Sequence, residues 1–229
     1  MSRFSVVCLD MAGTTVRDDG TVMTAFTAAI GAHNLPVRAY NEAMRYVRAT
    51  MGQSKIEVFR HILADEDDAQ RANASFETHY AAAVHAGQVE PMPGAAQVFK
   101  ACRDAGIRVC LATGFSPATR DALVTALGWG GLVDLVLSPA DAGRGRPWPD
   151  LPLTALMRLG GGSVRELAVA GDTPSDVESG LRAGAGLVAG VLTGASTRQE
   201  LAAVPAMTGL PGEPLVLDRI ADLLPHLGI

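Results

Sequence analysis

Four short segments of this chain carry residues able to handle a charged oxygen. LDMAGTTV (residues 9–16) places Asp10 at the end of an apolar run, and GDTPSD (171–176) repeats the arrangement with Asp172, adding Asp176 where a helix should open. Two strand-end carboxylates facing one crevice make a hard, oxygen-lined site suited to Mg²⁺, which keeps waters and takes substrate phosphate oxygens. ATGFS (112–116) puts the Thr113 hydroxyl at a third such end, and the amides that follow, from Gly114 onward, can hold a phosphoryl oxygen. GRPWP (145–149) adds Arg146, a permanent cation able to balance the carboxylates and the phosphoryl group. Singly, each has a bland reading as a cap, a turn or a surface charge. In this order they describe one phosphoryl-handling site, and the question is whether Asp10 is its nucleophile. One piece is missing: position 12, where a second carboxylate could protonate a leaving group, is Ala12.

The elements that must position these residues are legible as alternation. Apolar runs at 4–9, 107–112, 133–137, 167–170, 186–191 and 215–217 read as buried parallel strands. Helix-length segments at 95–104, 117–127, 151–159 and 176–183 fall between them, which predicts a doubly wound α/β sheet, Rossmann-like, with ligands at the carboxyl ends of its strands. Residues 22–88 break the pattern with no convincing strand and helix-length stretches at 23–33, 41–50, 54–63 and 68–85. This is a helical insertion after the first strand, with EPMPG (90–94) as its return hinge. The expected division is a core of residues 1–20 and 90–229 and an inserted helical domain of 21–89. The acidic run Asp65–Asp68 reads as solvated helix-terminus chemistry rather than a metal site.

Composition narrows the partners. The 229 residues are 48% hydrophobic and 19% charged, enough for a core without disulfide or metal staples. A net charge of −5 gives no support for nucleic acid or an anionic membrane as partner. Three cysteines without CxxC spacing fit a reduced cytoplasm. No apolar stretch has the length of a membrane span or of a signal-peptide core, so a cytoplasmic location is expected.

DMAGT, ATG, GRPxP and GDTxSD, in that order, resemble the haloacid dehalogenase superfamily of aspartate-nucleophile hydrolases over nearly the whole chain. The usual first motif there is DxDxT. The DxAGT form, with Arg in place of the usual Lys, resembles the phosphonoacetaldehyde hydrolase (phosphonatase) branch, and the insertion then resembles that family's cap. The resemblance implies Asp10 as nucleophile and Mg²⁺ held by Asp10, the Ala12 carbonyl and Asp172, with Asp176 in support. It also implies a cap lysine, in a Met-Gly-x-x-Lys setting, that forms an imine with a substrate aldehyde; Met51, Gly52 and Lys55 stand at that spacing. An imine turns the carbanion leaving from a C–P bond into an enamine, which would answer the loss at Ala12. Backbone amides near Met11 join Thr113 and Arg146 in holding the phosphoryl group.

Departures from the branch are also visible. Val58 stands where the family carries a His three residues after the lysine, and the family's early cap cysteine is missing from RDDGTVM (17–23). DMAGTTVRDDG, GDTPSDVESGLRAGAG and GVLTGAS look closer to the phosphonatase-like hydrolases, a sister group. The expected function is therefore a Mg²⁺-dependent hydrolase of a small phosphonate using a Schiff-base lysine. The alternatives are a phosphatase of small phosphate esters, in which Lys55 only binds charge, and an inactive protein that binds phosphate and Mg²⁺. A mutase is disfavoured by Ala12 and a dehalogenase by GDTPSD. The resemblance also suggests a homodimer through the cap.

Overall fold

The computed structural model describes residues 2–205 and 213–229. In chain order its strands are β1 (Val6–Asp10), β2 (Val16–Arg17), β3 (Glu90–Pro91), β4 (Arg108–Ala112), β5 (Leu135–Leu137), β6 (Leu167–Gly171), β7 (Leu187–Val191) and β8 (Leu215–Leu217). Between β2 and β3 run α1 (Thr21–Gly31), α2 (Val37–Ala49), α3 (Lys55–Leu63) and α4 (Glu66–His85). The remaining helices are α5 (Ala95–Asp104), α6 (Pro117–Ala126), α7 (Pro139–Ala142), α8 (Asp150–Arg158), α9 (Pro174–Arg182), α10 (Arg198–Ala202) and α11 (Leu224–Leu227).

Six strands form one parallel sheet in the order β5-β4-β1-β6-β7-β8. VVCLD of β1 is buried throughout because both faces of the sheet are covered, as all-parallel sheets require. Alternation divides its side chains: Val7 and Leu9 pack into the core that contains Val98 and Phe99 of α5, while Val6 and Cys8 join Leu151 and Ala155 of α8 and Val177 and Leu181 of α9. The chain order reverses beside β1, with β4 on one side and β6 on the other. A crevice opens at such a switch point, beyond the carboxyl ends of the strands. Asp10, Thr113 and Asp172 all reach it.

The insertion has its own apolar centre. Phe26 of α1 meets Phe59 of α3 at 5.1 Å between ring centroids and Phe76 of α4 at 4.8 Å. Burying rings of this size contributes about 1.5–3 kcal/mol each. Tyr80 of α4 packs at 4.5 Å from Phe115, which belongs to the loop after β4, so the aromatic cluster runs from the insertion onto the sheet's edge. The two chain passages connecting insertion and sheet lie side by side: β2 and β3 pair antiparallel, Val16 opposite Pro91 and Arg17 opposite Glu90. Pro91 is tolerated because this ribbon has only two strands and each has a free edge. Among the described residues no helix is long and apolar enough to cross a membrane.

Candidate active site

Asp10 closes β1 with its carboxylate 5% exposed. Burial, reinforced by Asp176, raises its pKa to about 7, against the pull of Arg146, the Met11 amide and Lys55. Asp172 follows β6, and burial, then Asp10 and Asp176, push it well above the usual carboxylate range. The Thr14 hydroxyl donates to its Oδ1 at 3.1 Å. Asp176 lies in the first turn of α9, where it forms a capping box with Thr173, whose amide and hydroxyl donate to Oδ2 at 3.1 and 2.5 Å. The three aspartates bring carboxylate oxygens within 4.8 Å of one another.

Arg146 lies behind this cluster. Its Nη1 is 2.8 Å from Asp10 Oδ1 and its Nε 2.7 Å from Asp176 Oδ1. Its in-line hydrogen bonds go elsewhere, from Nη2 to the Ala112 carbonyl at 2.9 Å and from Nη1 to the Gly52 carbonyl at 3.3 Å. Asp176 Oδ1 consequently has a close cation but no well-aligned donor. With one guanidinium against three buried carboxylates, Asp10 and Asp172 hold on to protons that a bound cation would displace. Asp172 is also approached closely by bare backbone: a methyl on Gly13 or Gly194 would fall 2.5 or 1.8 Å from its Oδ2. A crowded, hard-oxygen set of this kind fits a divalent cation.

Across the cleft, Lys55 begins α3 and is 5% exposed. Burial lowers its pKa to about 8; Asp10 opposes the shift and Arg146 adds to it. Its ammonium donates to the Gln53 carbonyl at 3.3 Å and lies 5.3 Å from the centre of the Phe115 ring and 5.7 Å from that of Phe26. The loop before it rests directly on the core. The Lys55 amide donates to the Gly114 carbonyl at 3.2 Å, and a side chain on Gly114 would meet the Gln53 carbonyl oxygen at 2.2 Å. Gly52 has φ +82°, and there a Cβ would fall 2.5 Å from the Thr173 hydroxyl.

These groups enclose a cavity of about 210 Å³. Asp10, Ala12, Met51, Gly52, Lys55, Thr113, Gly114 and Asp172, all expected from sequence, line it. The Thr113 hydroxyl accepts the Phe115 amide at 3.2 Å. One expected residue stands differently: Arg146 sits behind Asp10 rather than in the wall. Asp176 also lies behind the wall, the place of a supporting carboxylate, and Met11 reaches Asp10 by its amide while its side chain is buried in the core. Val58 is packed in the core of the insertion, and His61 stacks on Tyr46 at 3.8 Å. Sequence reasoning missed Thr14, Asp18 and the Thr193–Gly194 turn, where the Thr193 hydroxyl donates to the Gly13 carbonyl at 2.7 Å. The last carried a signal, since GAS follows the apolar run of β7 as a further strand end.

The matching family model is described as haloacid dehalogenase-like hydrolase and covers residues 4–184. The chain belongs to that family and is a hydrolase. Within the family it groups with the phosphonoacetaldehyde hydrolases and their relatives. It is 32% identical over 206 residues to a phosphonoacetaldehyde hydrolase of Nitratidesulfovibrio vulgaris, spanning 82% of this chain and 71% of that one. It is 29% identical over 204 residues to a probable phosphatase, IndB, of Dickeya dadantii, spanning 86% and 85%. Among solved structures, a phosphonoacetaldehyde hydrolase-like protein from Oleispira antarctica superposes with a TM-score of 0.81 at 25% identity, over 99% of this chain and 92% of that one.

Proposed function

We propose that this hydrolase cleaves the C–P bond of a small, carbonyl-bearing phosphonate of the phosphonoacetaldehyde type, with Lys55 as a Schiff-base residue and residues 21–89 acting as a cap. The observation that carries this reading is a buried lysine with its pKa lowered to about 8, in one cavity with Asp10 and with Ala12 where a carboxylate would protonate an ester's leaving group. Asp10, Asp172 and the Ala12 carbonyl would hold Mg²⁺, with Asp176 supporting them from behind. Bound there, the ion would supply charge neutralisation and polarisation of the phosphoryl group.

Neutral Lys55 attacks the carbonyl and water is lost, leaving an iminium. Thr113 and the amides after Met11 and Thr113 orient the phosphoryl oxygens. Asp10 attacks phosphorus, the C–P pair moves to carbon as an enamine, and the iminium charge is cancelled. Arg146 holds Asp10 in place for attack. Protonation of the enamine carbon and addition of water to the resulting iminium release the carbonyl product and free Lys55, and a second water hydrolyses the aspartyl-phosphate. The test is borohydride reduction in the presence of phosphonoacetaldehyde: a stable adduct on Lys55 is expected, and its absence overturns the imine.

The similarity to a probable phosphatase favours a second reading, hydrolysis of small phosphate esters with Lys55 binding the anion by charge. Phosphate release measured across phosphonoaldehydes and simple esters separates the two, and a preference for esters selects the second. The free, buried Cys8, Cys102 and Cys110 support a reducing compartment, the cytoplasm.

A further inference from the structure

An imine-forming lysine needs a partner that takes its proton and later gives one to the departing hydroxyl. The surroundings of Lys55 contain few candidates. Val58 and His61 are engaged elsewhere. Asp176 is tied to Thr173 and Arg146, and Asp10 faces phosphorus in the reading above. Glu77 gives one oxygen to the hydroxyls of Ser116 and Thr119 and keeps the other buried without a partner, but it lines a neighbouring pocket that Asp10, Thr113 and Asp172 do not reach. One carboxylate of the cavity that Asp10 lines is unassigned: Asp18, between β2 and α1, lines the wall together with Lys55. Its Oδ1 accepts the Val22 amide at 3.1 Å, and it makes no direct ion pair with Lys55, so a proton passing between the two crosses the shared cavity through one water.

We propose that Asp18 is the acid–base partner of Lys55, a role that rests on the imine reading. The Asp18 carboxylate takes one proton from the Lys55 ammonium through a bridging water. The freed amine pair forms the N–C bond while the carbonyl π pair moves to oxygen, and the nitrogen's proton passes to that oxygen, giving a carbinolamine. Asp18 returns its proton to the hydroxyl, the C–O bond breaks, water leaves, and the nitrogen lone pair completes the iminium. Asp18 begins and ends as a carboxylate, and one water is released. Burial raises the Asp18 pKa, which makes it a better proton acceptor than a solvated aspartate and still able to return the proton. Its place at the hinge means that the group serving the lysine also starts the first helix of the insertion.

A capping role and a proton-transfer role make different demands. Asp18→Asn keeps an oxygen for the Val22 amide but cannot titrate; Asp18→Ala loses both. The charged groups facing Lys55 are Asp10 from β1, Asp176 from α9, Arg146 and Asp18, with Glu77 of α4 lining the pocket on another side of it. Asp18 itself faces Lys55 and Asp19, and Tyr80 of α4 feels its charge. The experiment is the rate of borohydride trapping of phosphonoacetaldehyde on Lys55, followed by peptide mass mapping from pH 6 to 10 in the full chain with Mg²⁺. In both variants the plateau rate should fall at least tenfold, while the acid limb moves to lower pH because an attracting carboxylate has gone. An Asn variant that traps like the wild type, with only Ala slowed, reduces Asp18 to a helix cap and overturns the inference while leaving the imine standing. No trapping in the wild type overturns the imine reading and this inference with it.

Discussion

Lys55 is held in a state that water would not allow. Below pH 8 its folded-state amine carries a proton it has been stripped of solvent to hold, while the unfolded chain keeps that proton comfortably up to about 10.5. Because the folded pKa is lowered, the unfolded state binds more protons between these values, so the cost to stability is full below pH 8 and fades as pH rises towards 10.5. Lys55→Met should therefore stabilise the protein at pH 7 by roughly 1–3 kcal/mol, read from denaturant unfolding, while abolishing phosphate release from phosphonoaldehydes. The same shift sets the rate profile: imine formation should climb about tenfold per pH unit and level near pH 8, where a solvated lysine would still be climbing. Asp10→Asn removes the nucleophile, and phosphate release should drop by roughly 1000-fold or more in single-turnover assays.

At the scale of elements, the catalytic pieces meet because α3 starts where a loop of the insertion lies flat on the strand ends. Gly114→Ala inserts a methyl 2.2 Å from the Gln53 carbonyl oxygen, against backbone that cannot turn aside. The loop 51–54 should then fail to seat, lowering kcat/KM by roughly 100-fold with thermal stability of the core little changed. The sheet strands and all four helices of the insertion were readable, since parallel strands between two helical layers are apolar runs and α5 has its limits at the expected Ala95 and Asp104, although the edge strands β5 and β8, expected buried, are largely half-buried for want of a second neighbour. The β2–β3 ribbon was not, because two residues per strand leave no period to detect. The carboxylates Asp10 and Asp172 were legible as strand ends. The position of Arg146 was not: a cation in a loop carries no sign of whether it faces the ligand or lies behind its neighbours. Asp18 was hidden for a related reason, since RDD after a short strand reads as an ordinary solvated turn.

For the whole molecule, the buried aspartates make folding depend on what the cleft holds. The raised pKa of Asp10 means that the folded, metal-free protein retains a proton the unfolded chain gives up, so the contribution of Asp10 to stability is fullest below about 3.8 and is lost as pH rises through about 7. Mg²⁺ should offset that loss: at a hundred times its dissociation constant it adds about 2.7 kcal/mol, or roughly 5–10 °C in Tm for a chain of this size. The gain should grow between pH 5 and 8, which differential scanning calorimetry with Mg²⁺ or EDTA would register. A Tm indifferent to Mg²⁺ would argue against the carboxylates as its site. Arg146 ties these levels together, because one guanidinium touches Asp10, the first turn of α9, the end of β4 and the Gly52 carbonyl. That shared grip limits how freely lid and body can be interchanged. A foreign cap grafted between residues 20 and 90 would have to arrive with a carbonyl at the place of Gly52, or the recipient would inherit a new specificity loop and a slackened Asp10 in the same exchange.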